Sequence, residues 1–369
     1  MRAVYFKGFV STKPALGLVL GQEASSEGPM RLLATILILL AAVSAHTAAA
    51  ERTNAPTRVK VFVAADPAAT TAFVPNASAV RRMVDRGLLA VSGKDSHANA
   101  WREFIGTNDV VGFKVTSAPG ALIGTRLPVV EALVTSLIEA GHPKSKIIIW
   151  DREARDLKTS GYESLAARLG VRAAASTDAG WDGQRSYESP YAGKLVYGDL
   201  EFGGDRFAVG RKSHVTKLLS REITKIITVA PVLSHNGAGV NGHLASLALG
   251  SMDNIHRFDE PVRVAEALPE ICALDDLMPK VAFGVTDALV CQVRGDETAR
   301  LHDTVALNEI RFSTDLVALD VIALGDIATA RKAYPIEGEK PFKTDLYVNA
   351  EILELGIADI RRIALERVP

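Results

Sequence analysis

"DVVGFKVTSAPGALIGTRLPVVEALVTSLIEAGHPKSKIIIWD", residues 109–151, decides the fold. Its first part, 109–117, is dominated by valine, phenylalanine and threonine and reads as a strand. Residues 126–141 put Val130, Leu133, Val134, Leu137 and Ile138 on one face of a helical period. Gly141 then supplies a stop. Residues 145–151, with three isoleucines in succession, read as a strand buried on both faces. Strand, helix and strand at this spacing form a βαβ unit, which requires parallel pairing and a right-handed crossover.

The same alternation continues outward in both directions. Residues 58–66, "RVKVFVAAD", predict a strand, and 76–93 predict a helix with Asn76 or Ser78 as cap and Gly93 as stop. Beyond 213, "KLLSREITKIITVAPVLSH" predicts a helix and a buried strand, and 280–290 a further strand. Residues 314–334 predict a long helix, and 344–368 a closing helix and strand. Residues 176–213 break the pattern with glycine, aromatic and charged residues, and read as loops with a small hairpin. The expectation is one α/β domain over 51–369: three layers, a mostly parallel sheet with helices on both faces, and an inserted loop or hairpin excursion.

The N-terminus carries a different signal. From Met30, "MRLLATILILLAAVSAHTAAAERT" has one early basic residue, an apolar core from Leu32 to Val43 and small residues at 48–50. That is the layout of a secretory signal over 30–50, with an apolar core shorter than the roughly 20 residues a bilayer span needs. Residues 1–29 read as a gene-start artefact or a disordered lead. The expected location is periplasmic or extracellular, with no membrane contact once the signal is removed.

Composition excludes several partners. Of 369 residues, 48% are hydrophobic and 6% aromatic, with a net charge of −1. Such a chain offers neither a basic face nor a stacking platform for nucleic acid. Its two cysteines, Cys272 and Cys291, fit either one disulfide or two buried thiols, and are too few for an iron–sulfur cluster.

Chemistry gathers at strand ends, where open α/β sheets bind ligands. Lys114, Thr116 and Ser117 end the first strand of the βαβ unit, and Asp151 and Arg152 end its second. His235 and Asn236 end the strand of 225–233, and Asp287 the next one. Asp315 precedes a helix and reads equally as a cap or a ligand. In "SHNGAGVNGH" (234–243), Gly237, Gly239 and Gly242 fit either a plain turn or a close backbone approach to a ligand. A helix starting near Val240 would aim free N–H groups at an anion beside His235. His214, His235, His243, His256 and His302, with Asp253 and Asp287, leave a divalent metal open, although no H-E-x-x-H pair is present. A Ser-His-Asp triad using Ser234 or Ser117 has no G-x-S-x-G elbow behind it.

Five stretches, "VVGFKVTSAPGALIGTRLPVVEALVTSLIEAG", "IIIWDREARDLKTSGY", "ITVAPVLSHNGAGVNGHLASLALGSMDN", "FGVTDAL" and "FSTDLVALD", together resemble the domain of unknown function 362 family, in that family's order over about 110–360. The resemblance implies an α/β fold with an unassigned biochemical role. Some relatives carry ferredoxin-like modules, which this chain lacks. Its pattern departs where Ser234 stands for a lysine, Ala245 and Ser246 for a lysine–asparagine pair, and Thr116 for an asparagine. Two positive charges are thereby lost.

The functional expectation is an enzyme acting on a small anionic molecule. His235 and Asp287 are its catalytic candidates. Lys114 would pair the anion, and Thr116, Asp151, Asn236, Gly237 and Gly239 would complete the binding site. The rival is a non-catalytic small-molecule or metal-binding protein with a degenerate site.

Overall fold

The computed structural model describes residues 58–204, 208–294, 298–333, 342 and 344–369. The leader and signal read from residues 1–50 lie outside the described residues. No described helix is long and apolar enough to cross a membrane.

The strands, in chain order, begin with β1 (Val59–Ala65) and a short hairpin of β2 (Thr70–Thr71) and β3 (Val74–Pro75). They continue with β4 (Val111–Val115), β5 (Ile147–Asp151) and β6 (Arg172–Ala175). A second hairpin pairs β7 (Trp181–Lys194) with β8 (Val209–Thr216). Then come β9 (Lys225–His235), β10 (Gly239–Val240), β11 (Val281–Gln292), β12 (Thr304–Ser313) and β13 (Ile363–Val368). The main sheet has the order β13-β1-β12-β11-β9-β4-β5-β6, with β10 attached to β9. Within that order every neighbouring pair is parallel except the two made by β12.

Helices cover both faces, so the predicted three-layer α/β architecture is what forms. On β5, Ile147 and Ile149 join one hydrophobic cluster while Ile148 and Trp150 join the other. The period of two along a strand produces this split, and it explains why the strand is apolar throughout. The first cluster takes the helices Ala77–Ser92 and Leu127–Glu139; the second takes His243–Ser251, Pro261–Cys272 and Leu316–Ala333.

Local signals act as the sequence implies. The Asn76 side chain accepts from the backbone N–H groups of Ser78 and Ala79, and Gly93 ends that helix at φ 66°. The excursion is the β7–β8 hairpin, held to the body by Arg257. This fully buried guanidinium donates to the carbonyls of Tyr187 (3.0 Å), Tyr191 (3.1 Å) and Arg211 and to Ser213 Oγ (2.9 Å). Cys272 and Cys291 are free thiols, both buried, and burial raises the pKa of each.

Two expectations need correction. The strand carrying Asp287 does not end there, because β11 runs on to Gln292. The helix after the glycine turn does not begin near Val240, because residues 239–240 form β10 against Ser234 and His235, and the helix starts at His243.

Candidate functional site

The carboxyl ends of β4, β5, β6 and β9 open onto one cavity of about 630 Å³. Lys114, Thr116, Asp151 and His235 all line it. The βαβ unit and the parallel β9 bring these residues together from three separate strands.

Its floor is a closed polar network. Lys114 is 2% exposed, and its Nζ donates to Asp151 Oδ1 (2.7 Å), the Val115 carbonyl (2.7 Å) and Ser246 Oγ (2.8 Å). Asp151 Oδ1 also accepts from Arg152 N (2.8 Å), and Oδ2 from Ser117 N (2.7 Å) and Ser117 Oγ (2.6 Å). Thr116 Oγ1 lies 2.9 Å from Ser246 Oγ. Burial lowers the lysine's pKa, opposed by the charge and hydrogen bond of Asp151. Asp151 therefore cancels the charge that Lys114 was expected to offer an anion.

Gly250 makes room for this pair. A Cβ there would sit 2.2 Å from Lys114 Cε and 2.8 Å from Nζ. We expect Gly250→Ala to displace the lysine and cost about 1–3 kcal/mol, as overpacking does. A urea titration reads that loss, and an unchanged midpoint would mean the helix can move aside at no cost.

His235 lies at the cavity wall with its ring tied to its own turn. Nδ1 accepts from the backbone N–H groups of Gly237 (3.1 Å) and Ala238 (3.0 Å). With Nδ1 as acceptor, the neutral ring carries its proton on Nε2. Asn236 is exposed and lies outside the cavity lining, as do Gly237 and Gly239. Gly239 does adopt a positive φ of 82°, so its glycine is required by the turn.

Asp287 is not brought to the cavity. It is fully buried, accepts from Arg126 N (2.8 Å) and forms an ion pair with Arg126 Nη1 (3.1 Å). Both of its oxygens serve a buried pair, so its position is that of a structural charge, not a catalytic one. Asp315 acts as a cap, accepting from Ala318 N and Ile357 N (2.8 Å each).

The helix N-terminus expected to hold an external anion is filled from within. Asp320 Oδ1 accepts from His243 N (2.7 Å) and Oδ2 from Leu244 N (2.9 Å). A Cβ at Gly242 would meet that carboxylate at 2.1 Å, so glycine is what lets Asp320 approach. His243 is itself buried, between Thr228 Oγ1 (2.7 Å) and Thr286 Oγ1 (3.0 Å). His214 pairs with Asp253 (3.2 Å), and His302 stands beside Asp303 (3.2 Å). Among the described residues no group of three or more His, Cys, Asp and Glu side chains could hold a metal. Nor does a serine triad form: Ser234 pairs with Val240 in the β9–β10 ladder, and Ser117 bonds Asp151.

Several lining residues had no role assigned from the sequence, among them Ala245, Ser246 and Asn241. Ala245 and Ser246 line the cavity from the helix His243–Ser251. Asn241 lies two residues before the helix His243–Ser251. Asp320 caps the helix, and the Asn241 side chain, 7% exposed, faces the cavity with no hydrogen-bond partner among the described residues. A wider depression of about 860 Å³ lies beside β1, but its Glu351 and Arg362 are paired with each other (2.6 Å) and no histidine lines it.

Fold and site together define a three-layer α/β protein with a polar cavity at the carboxyl ends of parallel strands. No family model matches the chain, and no curated protein matches it. It is similar in part to a crystal structure of a Thermotoga maritima protein from a structural genomics programme. That similarity has 12% identity, a TM-score of 0.34, and covers 57% of this chain and 50% of the other. The chain thus matches about half the length of that neighbour, and the likeness is too slight to carry a functional inference.

Proposed function

We propose that this is an exported enzyme, akin to the domain of unknown function 362 family, that acts on a small anionic molecule in the strand-end cavity. The observation that supports it is the meeting of Lys114, Thr116, Asp151 and His235 in one cavity of about 630 Å³, within the size range of small-molecule sites. His235, with its ring proton on Nε2, is the acid/base candidate that remains once Asp287 is assigned to Arg126. Arg152, which lines the cavity, is the cation offered to the anion in competition with its own pairing to Glu153 (3.1 Å), since Asp151 cancels the more deeply buried Lys114. Glu153, Asp156, Asp178 and Asp199 also line the cavity. Their charges repel a polyanion, which narrows the ligand to a singly charged molecule such as a carboxylate.

One observation favours the rival reading of a binding protein without turnover. Every proton of a charged Lys114 already has a partner inside the protein.

A thermal-shift screen of metabolite carboxylates, phosphates and divalent metals tests both readings. We expect a monocarboxylate to raise the melting temperature and His235→Ala to remove that rise, while His302→Ala, at a surface histidine, keeps it. A full ligand-induced shift in His235→Ala would sink the role of His235. A bound ligand recovered unchanged after long incubation would favour the binding protein.

A further inference from the structure

We propose that the cavity is an acyl-transfer site, with Ser246 as nucleophile, Lys114 as its base and Asn241 as donor to the developing oxyanion, acting on a small ester or thioester. The inference rests on the reading of this cavity as an enzyme site and names its reaction class.

Ser246 lies one turn into the helix His243–Ser251, is 8% exposed and lines the cavity. Its Oγ has Lys114 Nζ at 2.8 Å and Thr116 Oγ1 at 2.9 Å. These are the distances at which a base activates a serine. The partners of Lys114 favour the required direction of proton transfer. The Val115 carbonyl and the Asp151 carboxylate can only accept, whereas the Ser246 hydroxyl can donate. In the resting ion pair the Lys114 ammonium donates its third proton to Ser246 Oγ; once that proton is lost, the two N–H groups left stay on those acceptors and the lone pair faces Ser246. Asp151 favours the ammonium, but it also accepts from Ser117 N, Ser117 Oγ and Arg152 N, which share its charge. Burial of Lys114 works on the same side as the proposal, toward the neutral amine.

Asn241 is the second, independent observation. The residue is 7% exposed, its side-chain amide makes no hydrogen bond among the described residues, and it lines the same cavity. An uncommitted amide donor lining the same cavity as the nucleophile is suited to an oxyanion.

In the first step Ser246 Oγ bonds to the substrate's carbonyl carbon and its proton passes to Lys114 Nζ. The carbonyl oxygen takes the negative charge opposite the Asn241 amide. The bond from carbon to the leaving oxygen or sulfur then breaks, and Lys114 returns the proton to the leaving group. Water attacks the acyl-serine with Lys114 again as base, which releases the acid and restores Ser246. The sum is hydrolysis, with no oxidant or further reactant.

The test treats the full purified protein with an alkyl fluorophosphonate and maps the adduct by peptide mass spectrometry. We expect the adduct on Ser246, none in Ser246→Ala, and labelling slowed about 100-fold in Asn241→Ala, the loss typical of removing one oxyanion donor. Circular dichroism and melting of each variant report that the fold is kept. Folded wild-type protein with no adduct on Ser246 would overturn the proposal, as would Asn241→Ala labelling at the full rate. If Ser246 stays unlabelled while the carboxylate shift still depends on His235, the reading of the cavity as the ligand site stands and the acyl-transfer proposal alone falls.

Discussion

Asp151→Ala should cost about 3–5 kcal/mol of stability, the range for breaking a buried ion pair from one side. The substitution leaves the Lys114 ammonium 2% exposed without its counter-charge. It also orphans the N–H groups of Ser117 and Arg152 and the Ser117 hydroxyl, which all end on this one carboxylate. Desolvation of a lone charge exceeds anything the Val115 carbonyl and Ser246 hydroxyl can return. Replacing both partners, as Lys114→Met with Asp151→Leu, should recover much of the loss, since two apolar groups carry no buried charge. Equilibrium urea unfolding measures both variants. A single-variant loss below about 1 kcal/mol would mean that water reaches Lys114 and that the cavity floor is wetter than its burial implies.

The second large effect is a pair of opposed pH dependences built on one helix end. Burial holds the His243 imidazole neutral down to about 3, against an ordinary value of 6.5. Below 6.5 the unfolded chain takes a proton that the fold refuses, so this group removes stability as pH falls from 6.5 toward 3. Burial raises the Asp320 carboxyl from 3.8 to about 7, against the hydrogen bonds from Leu244 and His243. Between those values the fold holds a proton that the unfolded chain has lost, so this group adds stability as pH falls from 7 toward 4. Each slope is worth up to about 1.4 kcal/mol per pH unit, and in the wild type they offset one another over about pH 4–6.5. His243→Gln should therefore become more stable on acidification from pH 7 to 4, relative to its own value at pH 7. Asp320→Asn should become less stable over the same range. Urea midpoints of the two variants at pH 4, 5, 6 and 7 would decide it; parallel curves would rule out either group as a source of pH dependence.

The architecture was legible because its cause is local. Ile147 to Ile149 and the helical face of Val130, Leu133, Val134 and Leu137 carry periodicities that do not depend on the rest of the chain. The same holds for Asn76 and Gly93, whose capping roles follow from residue type. β12 was not legible. "TVALNEIRFS" mixes Asn308, Glu309 and Arg311 into its length, and only the structure supplies the partners that make the buried Arg311 tolerable, the partly buried carboxylates of Glu309 (2.6 Å) and Asp326. At the site, strand ends pointed to Lys114, Thr116, Asp151 and His235 because a strand's end is local too. What failed was pairing across the chain. Nothing near Asp287 marks Arg126 as its partner, and nothing near Gly242 marks Asp320 as the carboxylate that fills its helix end. Asn241 was given no role from the sequence, because only the fold brings it to the cavity.

The place of β1 bears on how the chain can be made. Phe62 pairs with Phe312, and Val59 with Ile363, so the first of the described strands has both its neighbours among the last of them. While the ribosome works through β4, β5, β6 and β9, β1 stays unpaired with its valines exposed. One end of the sheet can zip only after β12 and β13 have been made. Pairings so far apart in sequence make for slow folding and a long window in which a nascent chain remains threadable, and open to capture by a holding chaperone.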